Sequence, residues 1–192
     1  MIRIGIVGDI GSGKSYTARQ FGYPVFDADL EVAKIYKKNR KCYFKLKKAL
    51  PNLITNFPVP KKDILKAIQT DKKNLGKIVR VIHPQVQKSM NIFIKKNKTK
   101  KIIVLDIPLL LENKINRKND IIIFIDAKKK EIYKRLKKRN NFNPMIIKKL
   151  RKFQLPLEIK RKKSNFILIN NFTHNSIKKN VKKLLKKVLL NA

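Results

Sequence analysis

Eight residues near the amino terminus, Gly8-Asp9-Ile10-Gly11-Ser12-Gly13-Lys14-Ser15, set glycine, lysine and a hydroxyl at a spacing that suits phosphate chemistry. Glycines let successive backbone N–H groups approach phosphate oxygens without interference from Cβ. Gly11, Ser12 and Gly13 form that cradle, Lys14 is placed to bridge the β- and γ-phosphates of ATP, and the Ser15 hydroxyl is a candidate Mg²⁺ ligand. A helix opening near Lys14 would turn its positive end toward the same anion. The motif implies nucleotide binding, but alone it does not separate a kinase from a GTPase or another ATPase.

A phosphoryl group moving onto a hydroxyl needs a carboxylate to orient the acceptor and take its proton. Asp27 and Asp29 follow a short apolar segment, at the strand end where a parallel sheet faces its ligand crevice. A spacing of two puts both on one side of extended chain, although either also fits a helix N-cap. Asp106 ends another apolar run, as a water-mediated Mg²⁺ acid or an ordinary strand-end turn residue. Arg135 and Arg139 stand one helical turn apart, and their planar guanidinium groups suit a phosphoryl group in flight. The bland alternative is a solvated charged face. His83 precedes Pro84, a pair that by itself marks a kink. His174 has no chemistry-bearing neighbours in sequence and is expected at the surface. The two histidines with Cys42 do not make a metal site.

The elements that must position these residues alternate. Strands are expected at 2–7, 25–26, 102–106, 121–126 and 166–169, with helices at 15–21, 128–140, 145–153 and 177–190. That order argues for an α/β chain with a parallel sheet covered on both faces. Residues 30–97 differ: apolar spacing gives helices from Leu30 and through Leu50, and prolines 51, 58 and 60 break the next stretch. A further helix, capped by Asp71, is expected to pause at Pro84. This helical block reads as an insertion that holds the acceptor, within one kinase domain over 1–192.

Lysine and arginine total 49 against 12 acids, a formal charge of +37. Such a balance points to polyanions, but the lysines are spread rather than gathered on one face, so no specific nucleic-acid partner is expected and nonspecific, salt-sensitive binding is. No apolar run approaches the ~20 residues of a membrane span, and no signal peptide is legible. One cysteine fits a reducing cytoplasm. The oligomeric state is not legible.

Several separated motifs in order resemble the dephospho-CoA kinase family: the glycine loop, Asp27-Ala28-Asp29, His83-Pro84, Pro108-Leu109-Leu110-Leu111-Glu112, Arg135 with Arg139, Gln154 and Asn170. The resemblance implies ATP-dependent phosphorylation of the ribose 3′-hydroxyl of dephospho-CoA, the last step of coenzyme A synthesis. It also implies a P-loop, nucleoside-monophosphate-kinase-like architecture: a five-stranded parallel sheet, a helical acceptor subdomain over 30–97 and a lid over 136–160. On this comparison Asp29, Lys14 and Arg139 are catalytic, and Tyr16 joins the loop in holding nucleotide. Asp27, Asp29, His83, Glu112 and Arg135 face the substrate, and Ser15 with Asp106 the metal. The chain departs from the family at Asp9 (usually glycine), Tyr16 (usually threonine), Lys62 (usually arginine) and Ser164-Asn165 (usually Ala-Asp). Asp9 adds negative charge at a phosphate site and should weaken ATP binding unless it points away. A shikimate-kinase-like enzyme, a nucleic-acid-binding ATPase and a nucleotide binder without turnover are the alternatives.

Overall fold

The computed structural model describes residues 1–138 and 142–190. The elements are β1 (Ile2–Gly8), α1 (Lys14–Gln20), β2 (Val25–Asp27), α2 (Ala28–Lys38), α3 (Arg40–Ala49), α4 (Lys61–Thr70), α5 (Lys72–Lys96) and β3 (Ile102–Asp106). They continue with β4 (Ile121–Asp126), α6 (Lys129–Lys137), α7 (Pro144–Arg151), α8 (Leu157–Lys162), β5 (Phe166–Ile169) and α9 (His174–Leu190). Two compact units result, Met1–Asp27 with Asn97–Ala192, and Ala28–Lys96.

The first unit holds a five-stranded sheet in the order β2-β3-β1-β4-β5, all neighbours parallel. Every residue of β3 is buried, as is all of β1 after Ile2, which is why both read as unbroken apolar runs. Ile4, Ile6, Ile102, Val104, Ile123, Ile125 and Leu168 of the sheet pack with Ala18 and Phe21 from α1 and its end. The α9 stripe Ile177, Val181, Leu184 and Val188, at helical spacing, completes this core. Arg3 is the exception in β1: it is buried and paired with buried Asp120 at 3.0 Å.

The second unit is helical, with Ile35, Cys42, Tyr43, Leu46, Ile54, Ile64, Ala67, Ile78 and Ile82 among its core residues. Here the structure corrects the sequence reading. Helix α5 does not stop at Pro84 but passes through it as one helix of 25 residues. Proline removes a hydrogen bond and crowds the preceding turn, yet Ile82 and Val86 pack into the same core on either side of it while Pro84 stays exposed. Helix α4 was not foreseen, because the prolines before it read as a break; Pro60 in fact caps it, and Ile64 and Ala67 bury its inner face. Asp71 caps α5 as expected, its Oδ1 accepting the Lys73 N–H at 2.9 Å. In the first unit, α8 was likewise not foreseen. No helix among the described residues is long and apolar enough to cross a membrane.

Candidate phosphate-transfer site

The glycine loop joins the carboxyl end of β1 to the first turn of α1. Gly11 and Gly13 hold φ of 84° and 88°, a region other residues enter at a cost. At Gly13 the requirement is doubled: a Cβ would stand 2.4 Å from Asn170 Nδ2. That amide donates to the Ser12 carbonyl at 2.8 Å, and its oxygen accepts the Phe172 N–H at 2.7 Å. The turn after β5 thus clamps the middle of the loop from outside. Lys14 Nζ donates to the carbonyls of Asp9 (2.7 Å) and Gly8 (3.3 Å), which fixes the cation over the loop's own backbone. Ser12 is fully buried, its Oγ without a partner among the described residues. Left-handed glycines, a held lysine and an unspent hydroxyl donor suit a nucleotide's phosphates.

Asp27 and Asp106 are direct partners in the β2–β3 ladder, and Asp106 also pairs with Ile6, two residues before the loop begins. Both acids therefore stand at the sheet end from which the loop springs. Asp106 is buried; Asp27 lies 3.7 Å from Arg19 of α1. Ser15 is the second residue of α1, and with Asp106 it offers only oxygen donors, the set a hard cation such as Mg²⁺ takes. The expectation that Asp27 and Asp29 share one side of an extended segment does not hold. The strand ends at Asp27 and α2 begins at Ala28, so Asp29 sits exposed in the first helical turn of the second unit. His83 lies in α5 of that unit, partly buried.

The remaining candidates lie after β3. Glu112 Oε1 is 2.8 Å from Lys160 Nζ and accepts the Leu155 N–H at 2.9 Å; Lys160 also donates to Gln154 at 3.0 Å. Arg135 lies over the Phe172 ring, 4.6 Å from its centre, and Phe172 itself has a φ of 64°. Arg139 lies outside the described residues. Tyr16 on α1 shares a hydrogen bond with His174 Nδ1, and the two rings meet edge to face. His174 is exposed as expected, but it does have a partner beside the loop. Asn165, where the family has an acid, accepts the Ile122 N–H through Oδ1 at 2.8 Å, a bond that needs no charge.

Asp9 is buried and does not stand alone. Its Oδ1 accepts the Ile10 N–H at 2.7 Å, and its carboxylate takes Nε (3.2 Å) and Nη2 (2.8 Å) of Arg151, the last residue of α7. Arg151 and Lys160 escaped the sequence reading because nothing sets them apart among 49 basic residues. The signal for Arg151 was the unexplained acid in the loop, which called for a cation.

A family model described as dephospho-CoA kinase matches residues 2–176. A dephospho-CoA kinase of Wolbachia sp. subsp. Brugia malayi (strain TRS) is 31% identical over 194 residues, 98% of this chain and 99% of the relative. The crystal structure of TT1252 from Thermus thermophilus superposes with a TM-score of 0.75 at 26% identity, over 99% of this chain and 97% of that one. A dephospho-CoA kinase from Campylobacter jejuni shares the fold with a TM-score of 0.64 at 21% identity, over 97% and 96% of the two chains.

Proposed function

The chain belongs to the dephospho-CoA kinase family, a kinase that phosphorylates a hydroxyl of dephospho-CoA with ATP, and on that premise we propose how its own residues divide the work. The acceptor is the ribose 3′-hydroxyl. Asp29 accepts its proton as the oxygen attacks the γ-phosphorus, while the bond to the β-phosphate oxygen breaks and ADP leaves. Lys14 stabilises charge across the β- and γ-phosphates, and Gly11, Ser12, Gly13, Ser15 and Tyr16 hold the nucleotide. Ser15 and Asp106 would hold Mg²⁺, which when bound neutralises phosphate charge. Asp27 and His83 orient the acceptor. Arg135 faces the acceptor, and Arg139 serves the phosphoryl group from the lid at 136–160, whose closure excludes water. Glu112 faces the acceptor, held by its ion pair with Lys160 of α8 and by the Leu155 N–H.

One observation supports this most: Asp27 and Asp106 pair across β2 and β3 at the sheet end that carries the loop. The reading includes a cytoplasmic setting, and nonspecific polyanion binding as a by-product of the +37 charge. The test is the position of the new phosphate, read by phosphorus and proton NMR of the product. Phosphate on the 3′-oxygen is expected; phosphate on the 2′-oxygen or on the pantetheine end would refute the assignment.

A further inference from the structure

An acid inside a phosphate-binding loop is a contradiction in charge. Asp9 has a side chain only 9% exposed, and its backbone carbonyl is one of the two that hold Lys14. A carboxylate in such a loop repels a nucleotide's phosphates, and charges in partly buried surroundings act on each other more strongly than in water. Among the described residues one side chain answers it. Arg151 meets the carboxylate in a two-point fork, a geometry that fixes direction as well as charge, and the Ile10 N–H donates to the same Oδ1 that accepts Nε. The arginine reaches the loop from α7, 142 residues away in sequence, and remains 50% exposed.

We propose that Arg151 is a positioning residue whose task is to neutralise Asp9 and keep its carboxylate turned from the phosphates, so that nucleotide affinity depends on Arg151 only while Asp9 is present. The same fork ties the end of α7 to the loop, so the two departures from simplicity, an acidic loop and its distant arginine, form one functional unit. This rests on the nucleotide-binding role of the loop given above, but not on the acceptor.

The test is a double-mutant cycle in the full-length chain, with the affinity for Mg-ADP measured by titration calorimetry. Arg151→Ala should weaken binding roughly tenfold or more, because it leaves a buried carboxylate uncompensated beside the anion. Asp9→Gly should bind at least as tightly as the unaltered chain. The double variant Asp9→Gly/Arg151→Ala should return to within about threefold of it, a strong departure from additivity. Raising salt should shrink the Arg151→Ala penalty. A double variant as weak as Arg151→Ala would overturn the proposal, since Arg151 would then touch the nucleotide or the fold directly. So would an Arg151→Ala chain that binds normally. Arg151→Gln, milder in shape, supplies the same comparison if the alanine variant does not fold. Failure of the unaltered chain to bind Mg-ADP would sink the loop's assigned role instead, so the two failures are distinguishable.

Discussion

Lys160 and Glu112 form an ion pair inside the protein, with Nζ 2.8 Å from Oε1 and the lysine side chain 1% exposed. Both charges have lost water, and the pair is stable only because each end has further partners: Gln154 on the lysine, the Leu155 N–H on the carboxylate. Removing one partner strands the other. Lys160→Met should lower unfolding stability by about 3–5 kcal/mol, whereas Lys160→Met with Glu112→Gln should regain a large part of that loss. Denaturant titration of the two variants checks this; equal stabilities would show the pair to be incidental.

Asn170 and Gly13 give a second expectation. A methyl group at position 13 would meet the Asn170 amide at 2.4 Å on a backbone already at φ 88°, so Gly13→Ala should abolish measurable ATP binding while leaving the sheet folded. Asn170→Ala removes the clamp rather than intruding on it. The loss of a buried hydrogen bond worth ~1–2 kcal/mol should raise the KM for ATP roughly tenfold. An unchanged KM would separate Asn170 from the loop's function.

How much of this was readable beforehand follows from the kind of signal each part leaves. The strands at 102–106, 121–126 and 166–169 were legible to the residue, since each is a short apolar run with sharp ends, whether buried like the first two or at the sheet edge with only Leu168 buried like the last. The loop was legible because phosphate binding constrains type and spacing together. Helix α4 was not, since Pro60 can end a segment or cap a new one, and only the packing of Ile64 and Ala67 decides. Nor was the continuity of α5 through Pro84, where tertiary packing outweighs a local penalty. The roles of Arg151, Lys160 and His174 depend on partners 142, 48 and 158 positions away, and no local pattern reports such pairs.

Titration of the helical unit should show its own signature. Burial holds the Cys42 thiol above its ordinary 9.0, nearby Lys45 opposing in part, and burial with the neighbouring Cys42 pushes the Tyr36 hydroxyl from 10.0 up to about 12. The folded chain therefore keeps protons that the unfolded chain releases, so these groups stabilise fully below about pH 9 and progressively less as pH rises toward 12. Denaturant midpoints measured from pH 8 to 11 should fall, and Tyr36→Phe should flatten the upper part of that fall. A midpoint that rises over this range, or a slope indifferent to Tyr36→Phe, would contradict the account. Iodoacetamide should modify Cys42 slowly until the chain unfolds.

The central claim is ATP-dependent phosphorylation of dephospho-CoA with Asp29 as base, and one assay meets it head on. Pure protein is incubated with Mg-ATP and dephospho-CoA, ADP and coenzyme A are followed by mass, shikimate and common nucleosides are run beside them, and Asp29→Asn is run in parallel. The account predicts ADP formation that requires dephospho-CoA, matched by coenzyme A. It also predicts that Asn at position 29 lowers kcat by roughly 10²–10⁴ while ATP affinity stays within about twofold. No acceptor-dependent ADP, or an Asp29→Asn chain that turns over normally, would contradict it.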